Sequence, residues 1–193
     1  AMDVKKITAR EKELTLLVMN GLSKNKQVKM LEPRVTERLS IISFYIENMH
    51  YNLVVRMLND KFGIQTRGGC SCAGTYGHIL LNVDHDTSQK ITNQIDAGDY
   101  CEKPGWIRAS FHPTMTDKEV QFVVDAINSL TKNMNEWSKE YRFNPATGDF
   151  EHNTLIVDYV GLDDFSVFPE NTANVTKTNA NPLLESFLVK DLR

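Results

Sequence analysis

The spacing of hydrophobic residues divides the chain into helices and strands. Apolar residues recur at helical intervals over residues 10–22, 53–62 and 86–97. Gly63 follows the second of these stripes, at a position where helices commonly end. The clearest helix signal is the capping box Thr116–Glu119, which a long stripe of apolar residues follows. The pattern therefore predicts four helices.

Between these helices, short segments rich in β-branched and aromatic residues predict strands. They cover residues 28–31, 39–46, 64–67 and 106–112. Residues 68–74 read Gly-Gly-Cys-Ser-Cys-Ala-Gly, and such small residues favour unusual backbone angles and offer little side chain to pack. This stretch is expected to form a tight loop rather than a regular element.

The order of these elements indicates the fold class. Strands and helices alternate without a run of regular parallel units, which predicts an α+β fold with a mainly antiparallel sheet and helices packed on one face. Residues 1–138 are expected to form one domain. Residues 139–193 differ in character, with a hairpin signal around residues 146–148 and then many Asn, Thr and Asp residues. We expect them to form an extension packed on the same domain.

Composition and charge exclude several classes of protein. The chain has 193 residues, of which 41% are hydrophobic, and no run approaches the roughly 18 apolar residues that a membrane helix needs. The net charge of -3 and the scattered basic residues do not fit a nucleic-acid binder. The amino terminus resembles no secretion signal, so a cytoplasmic location without membrane contact is expected.

The segment from Arg67 to Gly74 is the first candidate for chemistry. A thiol in an exposed loop next to a guanidinium can be held partly as the reactive thiolate, and Cys72 is the candidate. The alternative, that Cys70 and Cys72 are small apolar fillers, fits the residues equally well. The three cysteines of the chain are an odd count, which makes a poor disulfide framework and fits a reducing compartment.

A metal site is not expected. Cys70, Cys72, His78, Cys101 and His112 could supply soft and nitrogen ligands for zinc. However, zinc sites usually contain ligand pairs separated by two to four residues, whereas a single residue separates the first two cysteines and no second pair follows.

Arg108 is the second candidate. It lies among apolar neighbours in a predicted strand, where a charge is costly without a partner. A guanidinium binds a carboxylate through two parallel hydrogen bonds, which makes this arginine a good anchor for an amino-acid substrate. An ion pair with an acidic residue of the same chain is an equally good explanation.

The order of elements, together with two motifs, resembles the small carboxy-terminal domain of class V aminotransferases, in particular cysteine desulfurases and selenocysteine lyases. Those enzymes carry a segment R-x-G-x-x-C-A, which Arg67, Gly69, Cys72 and Ala73 match. A later strand has the core R-x-S, which Arg108 and Ser110 match. The resemblance covers roughly residues 5–135.

The resemblance implies a function that this chain would share with a partner domain. Family members hold pyridoxal phosphate on a lysine of a large domain that precedes the small one, and they act as homodimers. We therefore expect no cofactor in this chain, which would be the carboxy-terminal fragment of such an enzyme. Arg108 resembles the arginine that binds the substrate carboxylate, and Arg67 would lie beside the substrate. Cys72 occupies the position of the thiol that accepts sulfur.

These residues allow three interpretations of the function of the chain. In the first, the parent enzyme acts on an amino acid, with cysteine desulfurase and selenocysteine lyase as candidate activities, and an exposed apolar face marks the place of the large domain. In the second, the chain is a non-enzymatic α+β binding module whose cysteine loop handles sulfur or metal for a partner. In the third, it is a degenerate homologue with a structural role.

Overall fold

A four-stranded antiparallel sheet forms the centre of the protein. The computed structural model describes residues 3–70, 74–145 and 147–154. The strands of the sheet lie in the order β1-β2-β4-β3, and every neighbouring pair is antiparallel. Their bounds are β1 (Val28–Met30), β2 (Ile41–Ile46), β3 (Arg67–Gly69) and β4 (Trp106–Ser110).

The two faces of this sheet differ in burial. In β2, Ile42, Phe44 and Ile46 are buried, whereas the alternate positions from Ile41 to Tyr45 are exposed or half-buried. Successive side chains of a strand point to opposite faces, so one face carries the core. We call the other one the open face.

Three long helices cover the core face. They are α1 (Val4–Ser23), α2 (Tyr51–Phe62) and α5 (Asp117–Trp137). The first two contact the sheet, and α5 packs against both of them. Two further helices, α3 (Gly74–Leu80) and α4 (His85–Asp96), lie between β3 and β4 along the chain.

Local sequence signals account for the ends of these helices. The capping box at the start of α5 is present, because Thr116 accepts from the Glu119 amide and the Glu119 carboxylate accepts from the Thr116 amide. The His50 side chain caps α2, and Gly63 ends it in the left-handed conformation, with φ of 66°.

The contact between α1 and α5 depends on a glycine. A Cβ atom at Gly21 would lie 2.5 Å from Cγ1 of Val124, which is buried. The absence of a side chain therefore lets the two helices approach closely.

The predicted fold class is confirmed: an antiparallel sheet carries the helices α1, α2 and α5 on one face. The predicted positions around β3 are wrong. The strand was expected over residues 64–67 and a loop over residues 68–74, but Gly68 and Gly69 are part of the strand. Their lack of side chains is explained by packing, because a Cβ atom at Gly68 would lie 2.7 Å from Cδ2 of Tyr51.

The predicted hairpin is present and packs on α2. Its strands are β5 (Tyr141–Asn144) and β6 (Asp149–His152), which follow a short 3₁₀ helix, Ser138–Glu140. Lys61 of α2 pairs with Glu140 at 2.7 Å, and His152 lies 3.2 Å from the same carboxylate. The division of the chain at residue 138 stays a prediction, and residues 155–193 lie outside the described part.

None of the helices in the described ranges combines the length and apolar character that a bilayer span requires.

Candidate functional site

Two arginines and a serine lie side by side on the open face. In the register of the sheet, Arg108 of β4 is opposite Ser43 of β2 on one side and opposite Arg67 of β3 on the other. Opposed side chains in an antiparallel pair have Cβ atoms roughly 4.5–5.5 Å apart. The fold thus brings together the two arginines that the sequence motifs singled out.

The two guanidinium groups have no partner within the described ranges. Neither the Arg67 nor the Arg108 side chain makes a hydrogen bond or an ion pair with another described residue. Arg108 is half-buried and Arg67 is exposed. Like charges placed directly opposite each other destabilise a sheet. The structural ion pair that could have explained Arg108 is therefore not found in the described part of the chain.

Arg108 lines an open cavity of about 560 Å³. A second arginine in this cavity, Arg38, behaves differently, because its guanidinium donates to the carbonyl oxygens of Leu31, Glu32 and Val35. Arg38 holds its own loop in place, whereas the donors of Arg108 remain available to an anion.

The walls of the cavity are apolar and exposed. Leu39 retains 67% of its surface, Tyr76 56%, Val35 45% and Ile41 40%. All four side chains line the cavity. Exposed apolar surface of this kind, next to cations without partners, is typical of a surface that binds a ligand or another protein unit.

Helix α3 forms one side of the cavity and is anchored on Trp106. A Cβ atom at Gly77 would lie 3.2 Å from Cζ3 of Trp106, so the helix backbone rests closely on the indole. Cys70 lies beside this contact, and its thiol donates to the carbonyl oxygen of Pro104 at 2.7 Å. The exposed loop that was expected to begin here is instead packed at Cys70.

The environment of Cys70 makes it a poor nucleophile. The side chain is half-buried, and burial raises the pKa of its thiol, against a smaller opposing effect of Lys103. Cys101 is exposed, and its hydrogen bond with Asp99 raises its pKa. A raised pKa leaves less thiolate at neutral pH. Cys72, the predicted nucleophile, lies outside the described residues.

No metal centre is found in the described ranges, where His, Cys, Asp and Glu residues form no group of three that could hold an ion.

Two residues of the cavity were not predicted from the sequence. Ser43 appeared only as part of a predicted strand, and Tyr76 lies on α3, which was not predicted at all. The sequence of α3 offers little local signal for a helix, because the helix has only seven residues and begins in a glycine-rich segment.

Comparison with known families identifies the family of this chain. The sequence model of the class V aminotransferases matches residues 1–123, which is more than half of the chain. The chain therefore belongs to the class V aminotransferase family.

Among solved structures, the chain is similar to the cysteine desulfurase CsdA of Escherichia coli in its S-sulfonic acid form. The two share 20% sequence identity, with a TM-score of 0.45. The match covers 68% of this chain and 27% of the desulfurase chain, so the chain spans about a quarter of the length of that enzyme. No curated protein sequence matches the chain.

Proposed function

We propose that the chain is the carboxy-terminal small domain of a pyridoxal-phosphate enzyme that acts on an amino acid. The observation that carries this proposal is the pair of Arg67 and Arg108, which have no partner among the described residues, on an exposed apolar face. A second domain that covers this face would supply the apolar contacts, and the substrate would supply the carboxylate.

The role of Arg108 follows from the geometry of its side chain. A guanidinium donates two parallel hydrogen bonds to a carboxylate, which fixes the orientation of the substrate as well as its position. Arg67, one strand away, adds positive charge on the same side. When a second domain excludes water from the cavity, these interactions become stronger because the local dielectric constant falls.

The described residues around the arginines do not suit pyridoxal phosphate on their own. The cavity that Arg108 lines contains no lysine among its described residues, and a lysine is needed to hold this cofactor as a Schiff base. The cofactor, which supplies an electron sink, would therefore be held by the large domain. The role of this chain is to bind and orient the substrate.

The isolated chain is expected to form no specific adduct with pyridoxal phosphate. After incubation with the cofactor and reduction with borohydride, peptide mapping should show only sparse labelling that is spread over surface lysines. In the polypeptide that carries both domains, one lysine outside this chain should be labelled stoichiometrically. Stoichiometric labelling of a single lysine within the isolated chain would contradict the proposal.

Within this proposal, Cys72 is the candidate acceptor of sulfur from a cysteine substrate, with selenocysteine as the alternative substrate. It matches the family motif beside Arg67, whose guanidinium would favour the thiolate. The other two cysteines are disfavoured by their raised pKa values.

Alkylation of the native chain should therefore single out Cys72. At pH 7, we expect iodoacetamide to modify Cys72 at least about fivefold faster than Cys70 or Cys101, because nucleophilic attack requires the thiolate. Arg67→Gln should slow the modification of Cys72 and leave the rate at Cys101 unchanged. If Cys72 reacts no faster than Cys101, the sulfur-acceptor role falls, while the carboxylate-binding role of Arg108 is unaffected.

A further inference from the structure

A histidine lies between the start of α2 and the hairpin formed by β5 and β6. The His50 ring stacks on the ring of Tyr51, with centroids 4.5 Å apart and an angle of 27° between the planes. On the hairpin side, the rings of Phe143 and Phe150 lie 6.0 Å and 5.4 Å from it, measured between centroids. The imidazole is therefore packed between α2 and one aromatic residue from each strand of the hairpin.

The contacts of His50 fit a neutral ring. Its Nδ1 atom accepts a hydrogen bond from the Asn52 amide at 3.2 Å, which makes this side chain the N-cap of α2. A ring nitrogen that accepts carries no hydrogen, so the hydrogen of the neutral imidazole is on Nε2. Nε2 is buried and has no hydrogen-bond partner within the described ranges. No described acceptor is therefore in place at Nε2 to stabilise a positive charge on the ring.

A second proton on His50 would disrupt this arrangement. It would occupy Nδ1 and point at the Asn52 amide, so two donors would face each other and the cap of α2 would be lost. The charge would also lie at the amino-terminal end of a helix, which is the positive end of the helix dipole. Burial acts in the same direction and lowers the pKa of His50. All three effects favour the neutral ring in the packed state.

The ionisable groups that face His50 oppose this preference only in part. Asp149 of β6 raises the pKa of His50, but its effect is smaller than that of burial. One oxygen of this carboxylate already accepts from Nδ2 of Asn52 at 2.9 Å. Tyr51 adds no charge at neutral pH, because burial raises the pKa of its phenol. The contact from β5 is the uncharged ring of Phe143.

The two ends of the hairpin respond differently to acid. Near the turn, the hairpin packs on His50. At the base, Lys61 and His152 both contact the Glu140 carboxylate, at 2.7 Å and 3.2 Å. A positive charge on His152 would strengthen this second attachment. Acid therefore weakens the contact near the turn and spares the contact at the base.

We propose that His50 makes the attachment of the hairpin to the start of α2 dependent on pH. Protonation of its ring removes the cap of α2 and releases Phe143 and Phe150, while the base of the hairpin stays bound. Asn52 takes part in this change, because its amide loses the cap and its side chain donates to the Gly148 carbonyl oxygen at 2.8 Å.

The pH range follows from the direction of the pKa shift. The pKa of an unperturbed histidine is about 6.5. Because the pKa of His50 is lower in the packed state, the attachment is complete above about pH 6.5 and is lost progressively as the pH falls from there to the lowered pKa. Tyr51, on which His50 stacks, also supports β3 and β4, since a Cβ atom at Gly68 or Gly105 would collide with its ring. Release of the hairpin therefore changes the packing of a residue that supports both strands.

NMR spectra of the full chain between about pH 7.5 and about pH 5 test this proposal. The His50 ring protons should titrate with a midpoint below about 6.5, and their Overhauser effects to Phe143 and Phe150 should weaken at least about threefold. The protection factor of the Asn52 amide, which corrects for the pH dependence of exchange itself, should fall by about fivefold or more. The protection factors in α5 should stay within about twofold, because α5 lies outside this contact.

Two variants separate His50 from the other titrating groups. His50→Asn keeps a good N-cap but cannot be protonated, so the protection factor of the Asn52 amide should change by less than about twofold over this range. His152→Gln, the matched control at the base of the hairpin, should retain the response of the unmodified chain.

Three outcomes would overturn the proposal. A midpoint at or above about 6.5 would mean that the packed state favours the charged ring. A response that persists in His50→Asn would assign it to another group, and an equal loss of protection in α5 would assign it to general unfolding in acid. The titration midpoint is measured on the unmodified chain, so it does not depend on whether His50→Asn folds.

Discussion

Replacing Gly105 with alanine is expected to destabilise the chain by about 2–3 kcal/mol, the range of severe overpacking in a core. The new Cβ atom would lie 2.5 Å from Cδ1 and 2.6 Å from Cε1 of Tyr51, and 3.0 Å from the Cα atom of Gly69. The tyrosine cannot move away easily, because it is buried and its ring also packs closely against Gly68. Urea or thermal unfolding measures the loss, and a drop in Tm of roughly 4–12 °C is expected.

A double-mutant cycle shows whether this contact is the cause. In a Tyr51→Ala background, Gly105→Ala should cost less than about 1 kcal/mol, because the tyrosine ring with which it collides is gone. Ser110→Ala, at the exposed end of β4, the strand that follows Gly105, is the control and should change stability by less than about 0.5 kcal/mol. Equal losses from Gly105→Ala in both backgrounds would show that another constraint keeps this position a glycine.

In the two-domain enzyme proposed above, Arg108→Ala is expected to lower kcat/KM for the amino-acid substrate by about 100-fold. This factor corresponds to the loss of charge-assisted hydrogen bonds to the carboxylate. Arg108→Lys keeps the charge but loses the two-pronged geometry, so a loss of roughly tenfold is expected. Arg108→Ala should leave the stability of the chain unchanged or slightly raised, because it removes a like-charge pair across β3 and β4. Arg108→Lys keeps this pair and should leave the stability unchanged.

The substrate analogue without a carboxyl group distinguishes binding from structural damage. For the corresponding amine, the kcat/KM values of the wild type and of Arg108→Ala should differ by less than about threefold, because the amine has no carboxylate for Arg108 to bind. Arg34→Lys, an exposed arginine on the loop beside the cavity, serves as the matched control. An equal loss for amino acid and amine would mean that Arg108 supports the fold rather than the carboxylate.

The fold class and the helices α1, α2, α4 and α5 could be predicted from the sequence because their signals are local, whereas α3 was missed. The capping box of α5 and Gly63 after α2 each act within one turn of the helix, so the residues that decide the structure are adjacent in the chain. The position of β3 could not be predicted this way. Gly68 is suited to a strand because Tyr51 fills the space beside it, and this contact joins residues 17 positions apart.

The candidate site could be predicted in part for the same reason. Family motifs identified Arg67 and Arg108 one at a time, but only the register of β3 on β4 shows that they are opposite each other. The contributions of Ser43 and Tyr76 depend on strand order and on the packing of α3 over Trp106. Neither is encoded in a short stretch of sequence.

The arginine pair also gives the molecule an uneven electric field. The chain carries a net charge of -3, yet two guanidinium groups without described partners lie together on one face of its sheet. Positive potential concentrated in a cavity with apolar walls attracts anions before contact and speeds their encounter with the surface. At physiological salt this attraction extends about 8 Å, the Debye length, so the open face guides an anionic group only over the last steps of its approach.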